Sequence, residues 1–576
     1  MLQNEPTPHT ELDLGRESTL ISDINEIKKL PDQSTSNTEL DLERQATLVS
    51  VKIISTKSIN DQESQTVEDD GLLHGVELFL VVLGLACAVF LAALDQTIVS
   101  TALPKIVSDF NGLDQIAWVA TSYLLTTTSF QPMYGKLSDI FGRKITFLFA
   151  IAIFEIGSLL CGVAKDMVSL IIYRAIAGIG GGGIIGLVLI IISDIVSGKD
   201  RGKYQGIVGA CFGIASVAGP LMGGAFTDHI TWRWCFFINL PLGVITILAI
   251  IFFLHMKKPT GSLLTKFKRI DFIGISLMIA STVCILLPLN WGGSTYPWDS
   301  PVVITLLCVG AVGYVMFGLA ECYIVSEPIA PPHLFTKINV VSCFSTSFFQ
   351  GMVFFSFIFY IPLFFQVVKE DSATQSGLDF MPYILSVVVF SILSGQFFSR
   401  TDKVSFRCVT LIASVLIIIG AGLSTLWNEK TGYAESIGYM ILSGAGIGMS
   451  IQSIILGVQG MVEHKDIATV TTLALFFRSI GAVFGIAISG TVFNNKLSQL
   501  LSTLTLPPTF STNSVYTIRF LPPEIKSLVI EAYVLAFQFT FYIIILYSAL
   551  MLITALFMGN SKPKYNEGGE KHATFE

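Results

Sequence analysis

Charged residues are scarce in this chain. Asp, Glu, Lys and Arg make up 13% of its 576 residues and hydrophobic residues 52%, with a mean hydropathy of +0.68. A soluble protein carries roughly twice that charged fraction. Apolar runs near twenty residues recur, each long enough to cross a ~30 Å hydrocarbon core as a helix, whereas the alternating pattern of membrane β-barrels is absent. The sequence therefore predicts a polytopic, all-α membrane protein.

Metal-ligand and disulfide patterns are also missing. The nine cysteines lie in or beside apolar segments without a Cys-x-x-Cys pair, and the seven histidines lie in tails or near loops without helical metal-ligand spacing. This argues against a disulfide framework and a zinc site. An enzyme embedded in the membrane would need a nucleophile–base or metal constellation, and no histidine lies inside an apolar segment. We expect a protein that is not an enzyme, with no cofactor, no metal and no nucleic-acid partner.

The first 75 residues form a polar, acidic tail without aromatic residues. Such a segment cannot bury enough apolar surface to fold alone, and it lacks the apolar core and cleavage site of a signal peptide. Within it, ELDLGRESTLIS at 11–22 recurs as ELDLERQATLVS at 39–50. The two copies are either sorting or kinase sites, whose phosphates would change how the tail meets basic loops, or a neutral duplication, which we favour.

The distribution of Lys and Arg predicts the orientation of the chain. We interpret fourteen segments as membrane spans, from 77–100 to 531–558, and the second covers 115–134. Placing both termini in the cytosol puts most basic residues of the connections on the cytoplasmic side, among them Lys136, Arg143 and Lys144. Cytoplasmic connections of membrane proteins carry such an excess.

Four charged residues lie deepest inside the predicted spans: Asp95, Glu155, Arg174 and Arg478. A charge at the centre of a membrane helix costs about 2.5–3.5 kcal/mol, so each needs a partner or a water-filled cavity. Asp95 is either a carboxylate that binds a proton or a cationic cargo in a central cavity, or a structural acid bonded to a neighbouring helix. Arg174 either controls a nearby carboxylate or forms a permanent salt bridge. Glu155 has the same alternatives as Asp95.

The run GKLSDIFGRK at 135–144 lies on a predicted short loop between two spans. Gly135 and Gly142 permit a tight turn and close helix approach. Asp139 and Arg143 are four residues apart, near enough to pair locally or across to another helix. With Lys144, they predict a cytoplasmic latch that forms in one access state and breaks in the other; the alternative is an ordinary basic loop.

This run resembles the hallmark loop of the major facilitator superfamily, with matches at Gly135, Leu137, Asp139, Gly142, Arg143 and Lys144. YRAIAGIGGGG at 173–183 resembles the fourth-span motif of proton-coupled members, with Arg174 as its buried cation. ASVAGPLMGG at 215–224 resembles the antiporter motif through Gly219, Pro220, Gly223 and Gly224. FFRSIGAVFG resembles a feature of the penultimate spans and favours a structural role for Arg478. A decayed copy of the hallmark loop keeps Gly395 and Arg400.

WRWCFFINLPLG at 232–243, WGGSTYPW at 291–298 and the entry to an extra helix pair are similar to the fourteen-span drug:proton antiporter branch. The resemblance implies two six-helix bundles with two extra central helices. It divides the chain into a cytoplasmic tail (1–75), an N-terminal bundle (76–256), a linker with the inserted helix pair (257–325), a C-terminal bundle (326–560) and a second cytoplasmic tail (561–576).

The resemblance implies a monomeric, proton-coupled antiporter that moves small organic molecules, foremost drugs and toxic compounds, out of the cytosol by alternating access. Asp95, Arg174 and Glu155 are the candidates for proton coupling, and the residues that bind substrate stay unidentified. The plasma membrane is favoured. One alternative is a vacuolar transporter that loads basic amino acids, and another is a sensor that no longer transports, although the tail is not the folded soluble domain such a sensor usually carries.

Overall fold

The computed structural model describes residues 73, 75–110, 115–198, 200–256, 259, 262–293, 295–401, 403–504 and 522–560. Over these residues the chain forms seventeen α-helices and no β-strand. The described residues from Leu73 onwards belong to one compact unit. The predictions for the amino-terminal tail with its repeat, and for the carboxy-terminal tail from 561, fall outside the described residues.

The helices are numbered in chain order. They are α1 Gly75–Phe110, α2 Ile116–Phe141, α3 Arg143–Gly162, α4 Met167–Ile195, α5 Arg201–His229, α6 Trp234–Phe237, α7 Asn239–Phe253, α8 Leu263–Lys268, α9 Phe272–Trp291, α10 Pro301–Tyr323, α11 Pro332–Phe335, α12 Ile338–Val368, α13 Ala373–Arg400, α14 Phe406–Ser424, α15 Tyr433–Gln459, α16 Ile467–Leu501 and α17 Pro523–Leu556.

Among the described residues, thirteen helical segments are long and apolar enough to cross a membrane, with α6 and α7 forming one of them. The predicted span at 115–134 corresponds to α2, which is not among the thirteen. It is 26 residues long, but polar side chains such as Thr127, Thr128 and Gln131 lower its hydropathy. These three side chains face the interior of the protein and not the lipid. With 26 residues, α2 is long enough to span the membrane beside its neighbours.

The helix boundaries follow local sequence signals. Gly142 separates α2 from α3 with a φ of 97°, a backbone conformation that glycine adopts at little cost. Asp166 and Ser169 form a capping box at the start of α4. Ser300 caps α10, and Pro301 occupies the first turn, where a missing N–H costs nothing.

The helices form two groups by their contacts. In the first, α1 packs on α5 and α7, while α4 packs on α2 and α3. In the second, α12 packs on α16 and α17, while α15 packs on α13 and α14. The groups meet along two seams, α5 against α13 and α2 against α16. A central space between the groups is therefore bounded by these four helices and their neighbours.

The inserted helices α9 and α10 pack together, and α9 lies at the seam between α2 and α16. Thr282 bonds to the Tyr314 hydroxyl at 2.7 Å within the pair, and Thr121 of α2 donates to Asn290 of α9 at 3.1 Å. Much of α10 is exposed and apolar, including Val312 and Val315. An apolar exposed helix surface suits contact with lipid chains.

Candidate functional site

A cavity of about 170 Å³ lies between the two groups of helices. The first group contributes residues of α1, α2, α4 and α5, and the second contributes residues of α12, α13, α15 and α16. Its lining is mainly apolar, with a minority of amide and hydroxyl side chains; the polar members are Gln96, Thr127, Thr128, Gln131, Gln205, Ser216, Ser391, Gln452, Arg478 and Ser479. A largely apolar cavity with a few placed polar groups is the usual form of a small-molecule site.

Arg478 is the one ionisable side chain in the described lining of this cavity. It is partly exposed, and within the described part of the chain no hydrogen bond or ion pair to its guanidinium is found. The next residue, Ser479, donates to Gln131 of α2 at 3.2 Å and so connects the two groups of helices. The sequence favours a structural role for Arg478, but among the described residues its guanidinium makes no hydrogen bond or ion pair that would support that role.

Asp95 and Arg174 form a buried ion pair between α1 and α4. Arg174 Nη1 lies 2.5 Å from Asp95 Oδ2. The side chain of Arg174 is 2% exposed, and that of Asp95 is 0% exposed. Asp95 directly precedes Gln96, which lines the cavity, and neither Asp95 nor Arg174 belongs to the described lining.

Further contacts hold both members of this pair. Asn239 of α7 donates to Asp95 Oδ1 at 3.2 Å and to Ser158 at 3.1 Å. Arg174 Nε donates to the carbonyl of Val119 at 3.2 Å, and its guanidinium lies 4.3 Å from the centre of the Tyr123 ring. A cation over an aromatic face gains electrostatic attraction. The pair is thus anchored by contacts from α2 and α7.

Asn239 is a residue that the sequence prediction missed. It belongs to NLPLG, inside a stretch singled out only for its resemblance. A fully buried amide at the start of an apolar helix is the signal that could have identified it, since buried polar groups need partners.

Glu155 lies apart from this pair. It is partly buried on α3, and neither carboxylate oxygen has a hydrogen-bond partner among the described residues. Its carboxyl group lies against Gly243 of α7, where the missing side chain leaves room for it. The structure therefore brings Asp95 and Arg174 into contact but leaves Glu155 without a direct bond to either.

The 135–144 run is mostly helical. The sequence prediction of a short loop is wrong here, because residues up to Phe141 continue α2 and only Gly142 breaks the helix. Arg143 bonds to Asp139 one turn earlier and, through Nε, to Asp194 of α4 at 2.8 Å. Asp139, Arg143 and Asp194 therefore form an ion cluster at the junction of α2 and α3.

Lys144 connects the start of α3 to the end of α7. Its ammonium group donates to the carbonyls of Ile251 and Leu254, at 2.8 and 2.9 Å. The last carbonyls of a helix have no partner within the helix, and a cation near them is favourable. Lys144 therefore fixes two helices of the first group to each other next to the ion cluster.

A second ion cluster connects α2 to the inserted pair. Glu327, between α10 and α11, accepts from Arg269 Nε at 2.6 Å and lies 3.1 Å from Lys136 Nζ. The hydrogen bond from Arg269 lowers the pKa of Glu327, and the same bond raises the pKa of Arg269. The connections on both sides of the inserted pair are therefore fixed to the end of α2.

At this same end the two groups of helices touch. A Cβ on Gly202 of α5 would lie 2.6 Å from the carbonyl oxygen of Gly395 on α13. Gln205 donates to Gln459 at 3.3 Å, and Gln459 donates to Thr471 at 2.9 Å, joining α5, α15 and α16. The cavity is consequently closed by packed backbone and buried amides on the side that carries the ion clusters.

The predicted antiporter motif lies on α5 where it crosses α1. A Cβ on Gly219 would lie 3.0 Å from the backbone nitrogen of Ile98, and one on Gly223 would lie 3.1 Å from Ile98 Cγ1. A Cβ on Gly224 would meet open space, and the side chain of Pro220 is outside the described ones. Thr97 donates to the carbonyl of Ala215 at 3.1 Å across the same crossing. Two of the motif glycines therefore set the distance of α5 from the segment that carries Asp95.

Residues 85–486 match the family model described as the Major Facilitator Superfamily. The chain belongs to the Major Facilitator Superfamily. It is similar to "MFS-type efflux pump MFS1" of Arthroderma benhamiae, with 38% identity over 87% of this chain and 95% of that protein. It is also similar to "Efflux pump aflT" of Aspergillus parasiticus, with 35% identity over 85% of this chain and 97% of that protein.

Solved structures of the superfamily share the fold. The human organic anion transporter MFSD10 matches with a TM-score of 0.56 at 13% identity, covering 84% of this chain and 100% of that one. The proton:xylose symporter XylE matches with a TM-score of 0.52 at 14% identity, covering 83% and 94%. The superfamily membership and the all-α fold confirm the sequence prediction. This member of the superfamily is a multi-pass membrane transporter.

Proposed function

We propose that the chain is a proton-coupled antiporter that exports small organic molecules from the cytosol by alternating access. The observation that carries this proposal is the buried Asp95–Arg174 pair one residue away from the cavity lining. The chain matches two relatives over most of their length, and both are named efflux pumps, which supports the proposed direction of transport.

Coupling follows from the electrostatics of the pair. Two opposite charges withdrawn from water are tolerable together, but removing one leaves the other uncompensated at a large cost. Protonation of Asp95 neutralises its carboxylate and leaves the Arg174 cation with the Val119 carbonyl and the Tyr123 and Phe236 rings, but with no ionised partner among the described residues. The protonated protein is then stabilised by a rearrangement of α1 against α4. Binding and release of a proton thus favour different arrangements of the helices.

Glu155 is proposed as a second proton acceptor. Its two oxygens have no hydrogen-bond partner in the described structure, and an ionised carboxylate in such a place is far more costly than a neutral carboxyl group. It lies on α3, which packs against α4 and α7, the helices that hold Arg174 and Asn239. A proton on Glu155 would therefore act on the same helices as the Asp95–Arg174 pair.

The ion cluster Asp139–Arg143–Asp194 is proposed to stabilise the state in which the cavity is closed towards the cytosol. Gly135, Gly142 and Lys144 complete this gate by close packing, a helix break and a link to α7. Opening to the cytosol requires the α2–α16 and α5–α13 seams to separate. We propose that both termini lie in the cytosol and that the protein is located in the plasma membrane. There a proton gradient supplies about 2.3 kcal/mol per charge for each 100 mV.

Transport in inside-out membrane vesicles tests this proposal. Export in the cell corresponds to uptake into such vesicles, driven by an acidic interior. We expect uptake of at least one of the fluorescent probes pyrenebutanol, pyrenebutyrate and pyrenebutylamine, abolished by a protonophore. Asp95→Asn should remove uphill uptake at unchanged abundance in the membrane, whereas the exposed acid Asp299 can be changed to Asn without effect. No gradient-dependent uptake of any probe, lysine or arginine would refute the proposal, and uptake of lysine and arginine alone would favour the vacuolar alternative.

A further inference from the structure

We propose that Arg478 is the cargo-recognition residue of the cavity and binds the acidic group of an amphipathic organic anion. The cargo class is an aromatic or alicyclic body with a carboxylate or an ionised enol or phenol. This inference rests on the proposed export function and names the substrate class of the same cavity.

The first support is the charge of the cavity. Among the described lining residues Arg478 alone is ionisable. Asp95 is 0% exposed and already bound to Arg174, and neither Asp95 nor Glu155 belongs to the lining. The acids that the sequence suggested for cationic cargo are therefore not part of the described lining, whose net charge is positive.

The second support is that the guanidinium is free to bind. No carboxylate of the described residues pairs with it. A guanidinium offers a planar fork of N–H donors that matches a carboxylate in two parallel hydrogen bonds. In an environment of low dielectric constant, a cation without an anion is unfavourable, so an anionic ligand gains the interaction that the protein leaves unmade.

The rest of the lining suits the body of such a cargo. Phe212 of α5 and the adjacent Phe354 and Phe355 of α12 present aromatic surface from both groups of helices. The amides of Gln96 and Gln452 can bond to hydroxyl or carbonyl groups at the edge of a ring system. A basic amino acid fits poorly, because its cationic side chain would meet Arg478 and no acid in the described lining.

Binding of three probes with one body and different charges tests the inference. Full-length protein purified in detergent is titrated with pyrenebutyrate, pyrenebutanol and pyrenebutylamine, and dissociation constants are measured by fluorescence polarisation. We expect the carboxylate to bind at least about tenfold more tightly than the amine, a difference of about 1.4 kcal/mol. Equal binding, or preference for the amine, overturns the inference.

Variants assign the preference to one side chain. Arg478→Gln should reduce the carboxylate-to-amine ratio to about one, Arg478→Lys should retain part of it, and Arg478→Glu should invert it. The matched control is Lys496→Gln, since Lys496 lies on the same helix and over the Phe539 ring at 4.6 Å, outside the cavity. A ratio that persists in Arg478→Gln, or that Lys496→Gln removes equally, refutes the role of Arg478.

The two proposals fail separately. If inside-out vesicles take up pyrenebutanol with a proton gradient and the purified protein prefers pyrenebutylamine, the function stands and the substrate class is wrong. If the purified protein prefers pyrenebutyrate but vesicles transport none of the probes, the binding site stands and the export function is wrong. Should Arg478→Gln not fold, the wild-type ratio and Arg478→Lys still decide the question.

Discussion

Gly135 of α2 lies directly against Thr472 of α16. A Cβ built on Gly135 would lie 2.5 Å from Thr472 Oγ1 and 3.1 Å from the carbonyl oxygen of Ala468. Because α2 and α16 belong to different groups of helices, this glycine sets how closely the two groups approach at the proposed gate. Gly395, its counterpart in the decayed second copy, packs in the same way against Gly202 of α5.

Gly135→Ala should therefore hinder closure of the gate. The added methyl group needs space that Thr472 and Ala468 occupy, so we expect the export rate in vesicles to fall by about tenfold or more at unchanged membrane abundance. Removing the Thr472 side chain in Gly135→Ala/Thr472→Ala should restore part of the rate. The control is Gly422→Ala, where a Cβ would meet open space. Full activity of Gly135→Ala would mean that the seam does not limit transport.

The glycines of α5 should differ in their tolerance of alanine. Gly219→Ala and Gly223→Ala push α5 away from Ile98 and should lower the melting temperature and export together, because overpacking typically costs about 1–3 kcal/mol. Gly224→Ala should be neutral. Melting in detergent followed by intrinsic fluorescence measures this, and equal effects at all three positions would contradict the geometry.

Arg143 and Asp194 should act as one unit. Arg143→Gln and Asp194→Asn each break the 2.8 Å contact and should each slow export, while the double variant should be no slower than the worse single one, since coupled residues are not additive. His464→Gln provides the control, because that exposed side chain lies 3.8 Å from Asp194 and should contribute little. Additive losses in the double variant would show that the two residues act independently.

The Glu327 cluster predicts a pH dependence of stability. The pKa of Glu327 is lowered in the folded protein, so its bond to Arg269 stabilises the fold above the ordinary carboxyl pKa of 4.5 and this contribution is lost as the pH falls through the lowered pKa. Glu327→Gln should lower the melting temperature at neutral pH by less than about 2 °C, and the difference from wild type should vanish on acidification. A difference that grows at low pH would have the wrong sign.

Much of the fold could be predicted from the sequence because lipid imposes strict rules on composition and length. The helix pair predicted within 257–325 is observed as α9, Phe272–Trp291, and α10, Pro301–Tyr323. α2 extends past the predicted span at 115–134 to Phe141, because Asp139 can stay helical when its carboxylate pairs with Arg143. Local polarity favoured a loop there, and tertiary contacts overrode it.

The site could be predicted only in part. Asp95, Arg174, Glu155 and Arg478 could be identified from the sequence because a charge inside a membrane span is costly. That cost does not indicate which of the four side chains contact each other. The pairing of Asp95 with Arg174 spans 79 positions, and the cavity arises from eight helices whose lining is dispersed along the chain. Arg478 faces the cavity because of the rotation of α16 about its own axis. The sequence of a helix that is apolar on most sides does not specify this rotation.

The central claim is that Asp95 couples proton movement to cargo movement, and proton flux in proteoliposomes tests it most directly. Wild-type protein should let a gradient of the probe that the vesicles accumulate drive protons in the opposite direction, read by a trapped pH-sensitive dye. Asp95→Asn should still let that probe equilibrate down its own gradient while the dye signal is lost. Cargo-driven proton movement of wild-type size in Asp95→Asn would contradict the account.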